Sequence, residues 1–224
     1  MKKLTIGMAA TLAFVLAAVV PSQAASFTLT DTGQGWFTPT TDNGSGVTHN
    51  YIVGQCAAGC TNPGEFRDWF QFTIPVFTGT VTSATFVVDN FTIQTLQASP
   101  VTVTFTSLPS GFGFTNIGTG TVFATQSFTT ADSNSTSSIG LDAAALAAIQ
   151  PGTVFDFGGR VTTPTTFGSA AANEDAFFGS SGSTSLIITT EQNAAVPEPA
   201  SLLMLGTGLI GASLRGWRHR RKRV

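Results

Sequence analysis

Basic side chains are almost missing from the middle of this chain. Of ten Lys and Arg residues, Lys2 and Lys3 lie at the start and six lie between Arg215 and Arg223, leaving only Arg67 and Arg160 for everything between. The same stretch holds eleven of the twelve acidic residues, so it carries nine negative charges in excess although the whole chain reads −2. A nucleic-acid or anionic-membrane surface needs clustered positive charge, and that middle stretch has none. Cysteine is scarce too, with two in 224 residues, which excludes a multi-disulfide scaffold. One histidine, His49, stands outside the tail. Without a nucleophile and an orienting carboxylate it does not make a triad, and no Gly-x-Ser-x-Gly elbow or His-Glu-x-x-His helix occurs. No catalytic residue, metal site or cofactor is expected. No uncharged apolar run reaches the roughly 20 residues of a spanning helix without help from its flanks.

What is present sits first at the two ends. Met1-Lys2-Lys3 is a basic n-region and Leu4 to Val20 an apolar h-region, followed by Pro21-Ser22-Gln23-Ala24. Small residues at the −3 and −1 positions predict a signal peptide over 1–24, cleaved between Ala24 and Ala25. Export then implies the Sec machinery and a signal peptidase as partners. At the other end, Val196-Pro197-Glu198-Pro199-Ala200-Ser201 precedes the apolar Leu202 to Leu214. The two prolines remove backbone donors and hold the segment extended, where a processing enzyme can grip it. The apolar run is lengthened by Gly216 and Trp217, with Arg215 snorkelling, into a membrane helix over 202–217. Arg215, Arg218, Arg220, Arg221, Lys222 and Arg223 form a stop-transfer cluster in a basic end over 215–224. By the positive-inside rule that end stays cytoplasmic and everything before Val196 is outside.

This order of a Val-Pro-Glu-Pro-Ala-Ser signature, a short glycine-bearing apolar helix and an arginine cluster resembles the PEP-CTERM sorting signal. The resemblance covers the last 29 residues. It implies that an exosortase, a membrane protease-transpeptidase, recognises Pro197, Glu198 and Pro199. It also implies passage through the inner membrane to the cell surface or medium, in company with exopolysaccharide in a biofilm matrix. The sorting tail is taken as 193–224, with linker and motif over 193–201.

Between the signals, residues 25–192 are the length of one domain. Phe, Thr and Gly dominate, a composition for pleated, half-buried strands and frequent turns. Alternation places Phe70, Phe72 and Ile74 on one face before Pro75 ends the run, and Ala84, Phe86 and Val88 on another. Val101, Val103 and Phe105 repeat the pattern, and Thr121 to Phe128, Thr153 to Phe157 and Leu186 to Thr190 follow. Asp89-Asn90 reads as a turn into a strand over Phe91 to Leu96. Phe27 to Thr30, Val47 to Val53 and Asp175 to Phe178 are weaker strands. Asp142 to Gln150 reads as one short helix, capped by Asp142 and stopped by Pro151-Gly152. The expected fold is all-β: a two-sheet antiparallel, jelly-roll-like sandwich flanked by a signal helix and a sorting helix. A Ser83-Ala84-Thr85 strand, an alanine-rich helical turn and Phe157-Gly158-Gly159 resemble other PEP-CTERM ectodomains and imply the same sandwich.

Chemistry-bearing candidates are few. Cys56 and Cys60 flank a Gly-containing loop in an exported domain, and a local disulfide is favoured over metal binding. Arg67 stands between Glu65 and Asp68 and is expected to pair with one of them at the surface. Glu174, Asp175 and Asp156 lack the Asp-x-Asp-x-Asp-Gly spacing of a calcium loop. The functional expectation is a non-enzymatic structural or adhesive matrix protein. The alternative is a carbohydrate-binding module or glycan-active enzyme, which would need Trp36 or Trp69 exposed, or a paired acid in a cleft.

Overall fold

A computed structural model describes residues 24–42, 50–56, 64–90, 100–163, 174–179 and 184–191, with only the backbone of Cys56 and of 174–179 described. These lie in one unit, Ala24–Gln192; the other unit, residues 1–23 and 193–224, falls outside the described residues.

Among the described residues eleven strands and two short helical turns follow in order: β1 Ala24–Thr30, β2 Gly33–Phe37, β3 Tyr51–Cys56, β4 Gly64–Thr73, β5 Thr80–Asn90, β6 Val101–Ser107, β7 Val122–Phe128, a 3-10 turn Thr130–Asp132, β8 Ser135–Gly140, α1 Ala143–Ala148, β9 Val154–Thr163, β10 Glu174–Gly179 and β11 Thr184–Glu191. The small sheet runs β1-β11-β5-β8 and the large one β10-β3-β4-β9-β6-β7, antiparallel throughout. One edge of β4 is shared: β3 pairs with its start, Phe66 to Gly64, and β2 with its middle, Gln71 to Arg67. The expected two-sheet sandwich with one short helix is therefore the architecture seen.

Alternation explains why the sheets face each other. Phe70 and Phe72 of β4, Phe86 of β5, Phe105 of β6 and Phe157 of β9 are fully buried in a single core. Their rings meet mostly edge-on, as Phe86 and Phe157 do at 5.0 Å and 85°. This arrangement suits aromatic quadrupoles better than face-to-face stacking. Ala145 and Ile149 of the α1 segment close one side of the core. Asp142 caps α1 as expected, its carboxylate accepting from the amides of Ala144 (2.9 Å) and Ala145 (3.0 Å).

Two expectations need correction. Asp89 and Asn90 are not a turn; they continue β5 and pair with Thr136 and Ser135 of β8. The proposed partner strand over 91–96 lies outside the described residues. β2 and β8 were not anticipated: one is glycine-rich and the other almost all Ser and Thr, so neither shows an apolar alternation. Among the described residues no helix is long and apolar enough to cross a membrane.

Candidate functional site

Both arginines of the domain meet on the outer face of the large sheet. Arg67 of β4 and Arg160 of β9 share one carboxylate, Glu65: Arg67 Nε donates to Oε1 at 2.9 Å and a terminal nitrogen to Oε2 at 3.1 Å, while Arg160 Nε donates to Oε1 at 3.0 Å. The other terminal nitrogen of Arg67 donates to the carbonyls of Phe114 and Ile117, each at 2.9 Å, and the guanidinium lies 4.0 Å from the centre of the Phe114 ring. The β6–β7 loop is thereby held against the sheet. It packs Phe112 on Trp69 and buries Ile117. Arg67 does pair with Glu65, but buried beneath this loop and not at the surface, because the loop folds back over β4.

Asp68 points the other way, into the sandwich. It is fully buried, one oxygen accepts from the Gly159 amide at 2.7 Å, and the other has no partner. Burial pushes its carboxyl well above the ordinary range, against the Gly159 amide. Burial also raises Asp156, against the Gln71 amide. Two further acids serve local structure. Asp89 accepts from Thr136 at 2.7 Å, and Asp132 accepts from the Thr129 amide and hydroxyl at 2.7 and 2.9 Å.

The two indoles that a sugar-binding face would need are buried. Trp36 is 8% exposed and donates to Asn50 at 3.3 Å; Trp69 is 3% exposed. An open hollow of about 400 Å³ beside α1 is lined chiefly by Phe77, Val81, Leu146 and Ile149, without converging polar groups. Among the described residues no three His, Cys, Asp or Glu side chains cluster.

What remains organised is the outer face of the small sheet. The register sets Ser26, Thr189 and Ser83 in one row, Thr28, Ile187 and Thr85 in the next, and Thr30, Ser185, Val87 and Ser138 in a third. Their in-facing neighbours Leu186, Ile188, Ala84, Phe86 and Val88 lie in the core, which turns these rows outward. Charge appears only at the margins, in Asp89 and Glu191. Neither sequence motif nor hydrophobic pattern marked this face.

Of the residues singled out in the sequence, Ala24 and Ala25 open β1 opposite Glu191 and Thr190, and Cys56 closes β3 opposite Gly64. Cys60, His49, Pro197, Glu198, Pro199 and the basic residues from Arg215 to Arg223 lie outside the described residues. For that tail the decisive observation comes from comparison: residues 195–221 match the family model of the PEP-CTERM protein-sorting motif. The chain carries a PEP-CTERM sorting motif. No curated protein matches the chain. The PEP-CTERM motif spans the expected Pro-Glu-Pro signature, the apolar run and most of the basic cluster. It marks an exported, membrane-transiting protein that an exosortase sorts to the cell surface.

Proposed function

We propose that the β-sandwich is a non-enzymatic structural or adhesive module of the extracellular matrix, held among neutral exopolysaccharide chains. Delivery follows the tail: the signal peptide is removed after Ala24, the helix over 202–217 halts in the inner membrane, and exosortase acts at Pro197-Glu198-Pro199. The observation that carries the adhesive reading is the outer face of the small sheet. Its rows offer hydroxyl donors and acceptors interleaved with methyl groups, and keep charge to the margins of a domain with nine negative charges in excess. Such a surface suits an uncharged polyhydroxylated polymer, which would make many weak contacts along its length. The burial of Trp36 and Trp69 removes the best residues of the carbohydrate-binding-module reading. The employment of Asp142 and Asp132 in caps, Glu65 in ion pairs and Asp68 in the core likewise supports a scaffold over a hydrolase.

Co-sedimentation with neutral exopolysaccharide tests this. Thr28→Lys combined with Thr85→Lys, on one row, is expected to abolish binding, while Thr125→Lys on the other sheet leaves it unchanged. Equal binding by both variants would remove the face from the account, and no binding by the parent protein would remove the adhesive role.

A further inference from the structure

Where the chain leaves the small sheet for the large one, a carboxylate is buried without any counter-charge. Asp31 is 5% exposed, and neither of its oxygens has a hydrogen-bond partner. The pairing of Thr30 with Ser185 brings Asp31 opposite Thr184 one step further along. Thr184 is buried as well, and its hydroxyl donates to Oε1 of buried Gln34 at 3.0 Å, a bond that bridges the two sheets. That bond consumes the only proton of the Thr184 hydroxyl, so Asp31 has its oxygen nearby but not its hydrogen. Among the described residues no basic side chain neutralises Asp31: the cations there are Arg67 and Arg160, and both are tied to Glu65 on the far face of the large sheet. An ionised carboxylate buried without a partner is among the costliest arrangements a fold can hold.

We propose that Asp31, Gln34 and Thr184 hold a calcium ion that pins the β1–β2 corner to the start of β11. The donor set is all oxygen: two from the Asp31 carboxylate, the amide oxygen of Gln34 and the hydroxyl of Thr184. Hard cations select such ligands, and calcium tolerates mixed charged and neutral oxygens in irregular geometry, with backbone carbonyls or water completing its six to eight. Magnesium holds its own waters and demands a regular octahedron, which a buried corner with one carboxylate does not provide. In the ion's absence burial is the largest influence on the Asp31 carboxyl and raises it, against weaker opposition from the Thr184 hydroxyl and Asp31's own backbone amide; a bound dication would reverse that and keep the carboxylate ionised. The ion would stitch the two sheets together beside the last strand before the sorting tail. Sequence spacing pointed to no metal, because the three residues are brought together from opposite ends of the domain.

The rival account is a protonated or water-bridged Asp31, and thermal unfolding of the whole exported protein separates the two. After stripping with EDTA, the parent protein is expected to melt several degrees higher at about 10 mM calcium, a level above the affinity range of extracellular calcium modules. Magnesium should give a smaller shift. Asp31→Asn should melt at or above the parent in EDTA and gain nothing from calcium, so the order of the two proteins inverts between buffers. Glu191→Gln, at the exposed end of β11, should keep the calcium shift. Equal parent midpoints in calcium and EDTA, or a calcium shift retained by Asp31→Asn, would overturn the site. Should Asp31→Asn fail to fold, equilibrium dialysis of radioactive calcium against the parent and Thr184→Val decides. A single ion per parent chain, bound at least about tenfold more weakly by the variant, supports the site; no bound ion, or equal affinity, overturns it.

Discussion

Asp68 and Arg67 are neighbours in β4 whose side chains leave opposite faces of the sheet, and each shows what burial does to charge. Asp68 and Asp156 have folded-state pKa values raised above the ordinary 3.8 by burial. Their contribution to stability is therefore present below the ordinary carboxylate range and is lost as pH rises through the raised values. In EDTA, where Asp31 has the same sign, the melting temperature is expected to rise as pH falls from neutral toward about 4. Asp68→Asn should flatten much of that slope, since the amide cannot titrate and its oxygen can still accept from Gly159. A parent protein that loses stability steadily over the same range would contradict the assignment. Arg67 poses the converse case. Its donors serve Glu65 and two loop carbonyls, so Arg67→Ala leaves both carbonyls without this donor and Glu65 with Arg160 as its remaining cation. Urea unfolding should show a loss of about 1–3 kcal/mol, the range for leaving a buried hydrogen-bonding group unpaired. Arg67→Lys should recover little, because an ammonium cannot reproduce the two-pronged contact.

Strand β9 shows how an element can be legible in its pattern yet illegible in its length. Alternation announced Phe155 and Phe157 and ended there, whereas the strand runs on through Gly158 and Gly159 to Thr163. The reason is steric. A Cβ on Gly159 would come within 2.5 Å of the Asp68 carboxylate and 3.0 Å of the Phe105 ring, so glycine is what lets β4, β9 and β6 close over one another. Gly159→Ala is expected to cost about 1–3 kcal/mol by overpacking, and Phe157→Ala, at the centre of the aromatic core, about 3–5 kcal/mol, both read from denaturant midpoints. The paired apolar rows of β4, β5, β6 and β11 could be read in advance because period-two burial writes itself into residue type. β8 and β2 could not. Ser135 to Gly140 has only Ile139 to bury, and Gly33 and Gly35 leave Phe37 as the one side chain on the outer face of β2. The candidate calcium corner was hidden for a related reason: long-range register, not local spacing, makes it.

On the scale of the whole molecule, the charge arrangement separates three roles. The start of the chain is basic then apolar, the end is apolar then strongly basic, and the domain between is acidic with both of its arginines internally committed. Such a partition supports the delivery proposed above, in which the basic end pauses inside and the domain works outside. The PEP-CTERM motif over residues 195–221 is the anchor for that history. β1 and β11 add a structural counterpart. Ala24 pairs with Glu191, so the two chain ends leave the small sheet side by side, and loss of both flanks would leave the pairing from Ala25 to Thr190 intact. The most direct measurement is the intact mass of the protein recovered from the cell surface or medium. A species that begins at Ala25 and lacks the residues beyond the Pro197-Glu198-Pro199 motif, with any attached group visible as added mass, is the predicted result. Recovery of the uncut 23.2 kDa chain from the cytosol, with Met1 to Ala24 still attached, would contradict the account.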